Sequence, residues 1–238
     1  MGLILFLLLS ACPSPSPAGD DTGPSWDIDE GFETLDASVW TPGTWTLGAT
    51  QLDPAQASVE DGLLHLSLDE VAGQWRGAEL GSLLSFTGGR FEARIAAPSE
   101  PGSVCGFFLY GEDGAGRVHE IDVELLSAEP DTVRLGTYAG WTKADGYEAG
   151  PHRGVLTWRR EGFSTADWHE YAWSWEAGRV SFEVDGVVVG EVEAAPTDAA
   201  TLRLNHWTSV TWPEVQGPPA GSSACRVDWI RGRAQAGP

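Results

Sequence analysis

RVHEIDVELL, residues 117–126, sets Glu120, Asp122 and Glu124 at every second position, with the β-branched Ile121 and Val123 between them. In an extended chain, residues i, i+2 and i+4 point to one side. This stretch therefore predicts a strand with three carboxyls on one face and Ile121, Val123 and Leu125 on the other, toward a core. Three like charges in a row repel, and no structural need calls for them. Four readings follow: a solvated acidic face, a metal site, a set of cationic partners, or catalysis. Calcium cages usually come from loops with carbonyls and glycine, which this stretch lacks. Glycoside hydrolysis does use such carboxyls: one attacks the anomeric carbon and another, kept protonated, donates to the leaving oxygen. A middle Asp shares a proton with its neighbour, because adjacent carboxyls do not all ionise cheaply.

Outward from this strand, the same pattern recurs. Residues 62–68, 89–97, 103–111, 132–140, 169–177, 179–192, 200–207 and 224–232 are dense in alternating, β-branched or aromatic residues, with Gly, Pro, Asp or Ser in the gaps. Val184-Asp185-Gly186-Val187 is the clearest hairpin signal, since Asp-Gly tolerates the positive φ of a tight turn. No long helical pattern interrupts the series. The 238 residues include 30 Gly and 15 Pro, and 42% are apolar, enough for a sizeable core. The predicted fold class is all-β, two packed antiparallel sheets in one domain from residue 26 to 233.

Charge and leader narrow the setting. With 14 Lys and Arg against 35 Asp and Glu, the formal charge is −21, which argues against nucleic acid and anionic membrane surfaces as partners. It suits a neutral substrate. Twelve tryptophans exceed what a core of this size needs, and indole faces stack on sugars. Residues 1–12 form an apolar leader too short to span a membrane, ending in Leu9-Ser10-Ala11-Cys12. That sequence resembles a bacterial lipobox, in which Cys12 would carry lipid and become the first mature residue. The leader lacks a basic opening stretch, so the natural start is expected further upstream. Residues 13–25 read as a Pro/Ser/Gly/Asp-rich tether. The domain is expected to be exported, monomeric, and attached to a membrane only through the lipid at Cys12; an ordinary cleaved signal peptide is the alternative. In an oxidising compartment the remaining pair, Cys105 and Cys225, is either a disulfide or two buried thiols.

The motif Glu120-Ile121-Asp122-Val123-Glu124 resembles the E-x-D-x-E signature of family 16 glycoside hydrolases. Gly77-Ala78-Glu79, residues 89–93 and residues 102–108 are similar to the strands that precede it in that family. HEYAWSWEAGRVSFEVDG, Leu204-Asn205-His206-Trp207 and Val227-Asp228-Trp229-Ile230 follow in the family's order, so the likeness covers residues 27–232. It implies a jelly-roll sandwich whose concave face is a glucan cleft. It further implies Glu120 as nucleophile, Glu124 as general acid/base and Asp122 as the assisting carboxyl, in a retaining reaction. Cleft residues by the same matching are Glu79 and Asn205 for sugar hydroxyls, Tyr138 and Trp207 for ring stacking, and Trp212. The expected substrate is β-glucan, mixed-linkage β-1,3-1,4 or β-1,3. The unbulged motif favours the lichenase side, since laminarinases usually insert a residue before the last Glu. A transglycosylase, a carbohydrate-binding protein without catalysis and a structural surface lipoprotein are the alternatives.

No cofactor is required by this reading. Asp228 matches a position that helps hold a structural calcium in relatives. Departures are visible as well. Val118 and His119 stand where lichenases have an aromatic and an acid, and Leu80 and Gly81 follow Glu79 where an Arg that grips sugar is usual. Residues 141–158 read as a long loop in which Trp141, Tyr147 and His152 either stack on sugar or brace the loop. Trp173 and Trp175 read as core or outer-sheet residues, and His169 as a structural histidine. No P-loop, zinc-finger spacing or dinucleotide glycine pattern occurs.

Overall fold

The computed structural model describes residues 25–144 and 152–235. The lipobox Cys12 and all but the last residue of the tether lie outside the described residues, as do Tyr147 and the side chain of His152. The chain forms β1 (Ile28–Glu30), β2 (Trp40–Pro42), β3 (Thr46–Leu47), β4 (Thr50–Leu52), β5 (Ala57–Glu60), β6 (Leu63–Val71), β7 (Gln74–Phe86), β8 (Gly89–Ala96) and β9 (Val104–Glu112). It continues with β10 (Arg117–Leu126), β11 (Thr132–Thr142), β12 (His152–Arg159), β13 (His169–Glu176), β14 (Arg179–Val184), β15 (Val187–Val192), β16 (Ala200–Trp207) and β17 (Ser223–Ala234). The only helical turns among the described residues are 3-10 turns at Pro54–Gln56 and Pro213–Val215.

Pairing sorts these strands into two antiparallel faces. One runs β2-β7-β16-β9-β10-β11-β12. The other runs β5-β6-β17-β8-β13-β14-β15, with β1 against the far end of β17. The first sheet is curved as in a jelly roll. The faces are not separate: the start of β7 pairs with β6 and, in parallel, with β4, so one long strand passes from one layer to the other.

The core lies between the layers. Ile121, Val123 and Leu125 of β10 point into it, as their alternation predicts. Trp173 of β13 sits at its centre, stacked on Phe91 at 5.6 Å and touching Phe107 from the opposite sheet at 4.2 Å. Trp173 and Trp175 are fully buried, and the Trp175 indole donates to Pro196 O at 3.1 Å. Asp185 and Gly186 take φ of 51° and 72°, the turn that their sequence announced between β14 and β15. His169 accepts the structural role expected of it, its Nδ1 lying 2.9 Å from Asp185 Oδ2.

Two expectations need correction. Residues 141–158 are not one long loop: β11 continues through Thr142 and β12 begins at His152, pairing back along Ala139 to Thr132. The strand was hidden because Arg153, Gly154 and Arg159 dilute a short apolar run. β7 was recognised only at Gly77-Ala78-Glu79, although it spans Gln74–Phe86. Glycines lower its strand propensity, yet they are there for contact: a Cβ on Gly77 would fall 2.2 Å from His206 O. Strands β1 to β5 have two to four residues each, too short for a period to show.

Cys105 of β9 and Cys225 of β17 are joined across the core, with Cα atoms 5.8 Å apart, inside the range a disulfide spans. The bond ties the two layers and closes a loop of 120 residues. By the chain-entropy argument such a loop is worth about 5 kcal/mol. Changing both residues to Ser is expected to lower the unfolding free energy by about that much, read from urea midpoints. Unreduced, unfolded protein should show no reactive thiol at either position, and two reactive thiols would rule the bond out.

Candidate active site

A strand face that turns away from the core is normally open to water. The outward face of β10 is not: Asp122 is 6% exposed, and Glu120 and Glu124 are half-buried. Register explains the cover. Opposite Glu120 lie Tyr110 of β9 and Tyr138 of β11, and Tyr110 in turn faces Thr201 of β16. Opposite Asp122 lie Phe108 and Gly136, and beyond Phe108 come Arg203 of β16 and Gly81 of β7. Opposite Glu124 lie Gly106 and Arg134, and beyond Gly106 come Asn205 and Glu79. Three rows thus cross the sheet, each with one motif carboxyl near its middle.

This register brings together residues that are far apart in sequence. Glu79 and Asn205 share the row of Glu124, and Tyr138 flanks Glu120. The glycines in the rows are floor tiles. A Cβ on Gly106 would stand 2.4 Å from Asn205 Oδ1, and one on Gly136 would stand 2.8 Å from the Tyr138 ring. Both polar side chains therefore lie down over glycine, toward the carboxyls. Asn205 hydrogen-bonds the Glu79 carboxylate, and its own Oδ1 is buried with no partner, free to accept from a hydroxyl.

Trp207 and Trp212 close the Glu124 end. Their rings are 6.2 Å apart and pack on Val104, Leu126 and Val215 in a small apolar cluster separate from the main core. The Arg134 guanidinium lies 5.6 Å over the Trp212 ring and bonds Glu129 at 3.0 Å. Of the aromatic residues singled out in the suspected loop, Trp141 is half-buried on β11.

Arg203 is a site residue that sequence reading missed. It bonds Glu79 at 2.7 Å, lies 5.0 Å over the Tyr110 ring and 5.5 Å over Trp45, and is close enough to Glu120 to favour its charge. No Arg follows Glu79 along the chain; a guanidinium reaches the same carboxylate from the neighbouring strand. The signal was available, since Arg203 stands two residues before Asn205 and so shares its face. Tyr110 was overlooked for the same reason, and Trp45 lies among strands too short to read.

The electrostatics follow from this burial. Glu120 is pushed up to about 8, first by burial, then by Glu124 and Glu79. Glu124 is pushed up to about 7 by burial, with Arg134 pulling the other way. Asp122 stands well above the usual carboxylate range, through burial and its two neighbours. The three titrate as one system that keeps protons at neutral pH. Within it, Glu120 alone has both a hydrogen bond from Asp122 and the attraction of Arg203, which favour the ionised form there. Glu79 is raised by burial, against the pull of Arg203 and Asn205.

Asp228, on the opposite sheet, is bonded by Arg94, whose guanidinium also lies 5.0 Å over Trp168. The Arg94 guanidinium would have to turn away before this carboxylate could ligate calcium, whose remaining ligands would be other oxygens. No step of the chemistry involves this position.

A sandwich with a carboxyl row in a glycine-floored trough defines the class. Sequence comparison gives the family: the profile of glycosyl hydrolases family 16 matches residues 42–231, and the chain belongs to that family. The endo-1,3-1,4-β-glycanase ExoK of Rhizobium meliloti is 30% identical over 182 residues, covering 73% of this chain and 63% of that protein. A β-glucanase of Acetivibrio thermocellus is 24% identical over 207 residues, covering 83% and 59%. The chain thus spans about three fifths of these relatives' length. Among solved structures, a β-1,3-1,4-glucanase (lichenase) from a mouse hindgut metagenome superposes with TM-score 0.73 at 25% identity, covering 86% of this chain and 97% of that one. The Bacillus licheniformis β-glucanase superposes at 0.75 with 20% identity, covering 90% and 100%, a likeness of fold.

Two substitutions test the trough. Gly106→Ala should displace the Asn205 amide, a movable side-chain end, and cut kcat/KM tenfold or more while the circular dichroism spectrum and thermal midpoint stay near those of the parent. Arg203→Met should strand the buried Glu79 charge, lowering both kcat/KM and stability, with Arg203→Lys intermediate; steady-state kinetics and thermal melts would separate the two effects.

Proposed function

We propose that this chain is an exported, endo-acting β-glucanase that cleaves mixed-linkage β-1,3-1,4-glucan or β-1,3-glucan with retention of configuration. The observation that carries the reading is the row Glu120-Asp122-Glu124, buried outside the core and flanked by sugar-sized aromatic and hydrogen-bonding groups. The reactive form of the coupled row is the one with Glu120 ionised and Glu124 protonated. Arg203 and the Asp122 hydrogen bond favour the charge on Glu120 in it, and Glu120 attacks the anomeric carbon as the glycosidic bond breaks. In the same form Glu124 gives its proton to the leaving oxygen. Water then enters, Glu124 takes a proton from it, and the Glu120 ester is released. Asp122 keeps its own proton, so the row never carries three charges. Asn205 Oδ1, Tyr138 and the Trp207–Trp212 pair suit hydroxyls and ring faces of a neutral polysaccharide.

The relatives named as 1,3-1,4-glucanases and the unbulged motif support the mixed-linkage assignment. The short apolar leader and the lipobox support export with a lipid anchor at Cys12, and the cross-layer disulfide fits an oxidising compartment.

Glu120→Gln and Glu124→Gln should each slow reducing-sugar release from barley glucan by a factor of 10² or more; unchanged turnover in either would remove its role. The pH profile has a defined sign. A general acid works protonated, so a raised Glu124 keeps glucan hydrolysis running to neutral pH, and the rate falls as pH climbs past its folded value. A nucleophile works ionised, so a raised Glu120 shuts the reaction off on the acid side above the ordinary carboxylate range. With an activated aryl glycoside, which needs no acid, the alkaline fall should disappear.

A further inference from the structure

His119 precedes Glu120 on β10 and points to the opposite face of the strand. It is 5% exposed, and neither ring nitrogen has a hydrogen bond. Burying an imidazole without partners is costly, and native structures rarely leave one so. Around it stand two carboxylates from different segments: Asp113 in the turn between β9 and β10, and Asp198 two residues ahead of β16. One donor atom from each of the three residues can be chosen so that all lie within 4.8 Å of one another.

The geometry suits three ligands converging on one point better than an ion pair. His119 Nε2 lies 3.2 Å from Asp198 Oδ2, yet off the line a hydrogen bond needs. Two atoms each about 2.1 Å from a tetrahedral metal are separated by about 3.4 Å. The widest pair, up to 4.8 Å apart, would close by up to about 1.4 Å on an ion. Asp113 is already a fixed anion: its Oδ1 accepts from the backbone N–H of Ala115 at 2.8 Å and of Arg117 at 2.9 Å. Its Oδ2 accepts from Arg117 Nε at 2.7 Å. The Arg117 side chain is 56% exposed and can swing away into water. Asp198 Oδ2 also accepts from Thr197 Oγ1 at 2.9 Å, and the Asp198 side chain is 45% exposed on a loop, so it can adjust.

We propose that Asp113, His119 and Asp198 form a binding site for one divalent transition-metal ion of zinc's size and ligand preference. One imidazole and two carboxylates suit zinc; calcium prefers six or more oxygens and gains little from a ring nitrogen. The site is distinct from Asp228 and from the carboxyl row. A bound ion would stitch the β9–β10 turn to the segment entering β16, bracing the strands that carry Glu120 and Arg203 from behind.

The test uses the full chain, stripped with a chelator and titrated calorimetrically with ZnCl2, then with CaCl2. One equivalent of Zn2+ should bind with a rise in thermal midpoint, and Ca2+ should bind at this site at least 100-fold more weakly. His119→Gln and Asp198→Asn should each raise the Zn2+ Kd at least tenfold, while Asp61→Asn, an exposed turn carboxylate, leaves it unchanged. Asp198→Asn keeps the fold because the side chain is a loop residue near water, so it decides the matter if His119→Gln does not fold. No saturable Zn2+ binding, or binding with the same Kd in Asp198→Asn, overturns the proposal.

Discussion

A β-strand gives its side chains only two directions, and β10 uses both to the full. Ile121, Val123 and Leu125 are committed to the core, so Glu120, Asp122 and Glu124 have no freedom about which way to face. A slip of one residue would put three carboxyls into an apolar core and three aliphatic chains into the trough. Register is thereby fixed by the same residues to which the proposed chemistry is assigned. Every neighbour inherits that constraint: once β9, β11, β16 and β7 pair with β10 in register, Tyr110, Tyr138, Arg203, Asn205 and Glu79 must line the same trough.

The trough works against the stability of the row it holds. Each of the three carboxyls has a raised pKa, so the folded state binds protons that the unfolded chain would release at neutral pH. The sign follows from linkage: a group raised on folding stabilises the fold at low pH, and that contribution is lost as pH climbs through its folded value. At the pH where the row must be partly ionised to react, it opposes folding. The disulfide from Cys105 to Cys225 and the Trp173 cluster lie directly behind this strand and its neighbour β9, where the offsetting stability is useful.

What could be read without coordinates was whatever depends on short-range alternation. The β10 face and the Asp185-Gly186 turn follow from spacing two or from turn chemistry, and the structure agrees with both; of the two places open to Trp173 and Trp175, core or outer sheet, it shows the core. The motif order placed Glu79, Tyr138 and Asn205 in one cleft. Alternation alone puts Arg203 on the face of Asn205, but its meeting with Glu79, 124 residues earlier across one strand pair, is lateral and is not written along the chain. β7 was read only in part because glycine weakens a strand pattern where two backbones approach most closely. The 141–158 stretch was misread for a related reason, a strand whose apolar run is short and flanked by arginines.

Charge economy ties these points together. The sequence holds only 14 lysines and arginines against 35 acids, so cations are scarce and their positions carry information. Two of them stand in the trough, one near each end of the row. Arg203 leans on Tyr110 beside Glu120, and Arg134 lies over Trp212 beside Glu124. Each aromatic face holds its guanidinium without cancelling the charge, and each guanidinium is shared with a carboxylate outside the row, Glu79 or Glu129. The motif acids thus feel a cation at a distance and are not locked into a salt bridge. A direct bidentate pair would have fixed Glu120 or Glu124 as a permanent anion, and a permanent anion at Glu124 has no proton to give. Holding the cations one residue away leaves the row able to divide its protons unequally, which is the condition for one carboxyl to attack while another donates.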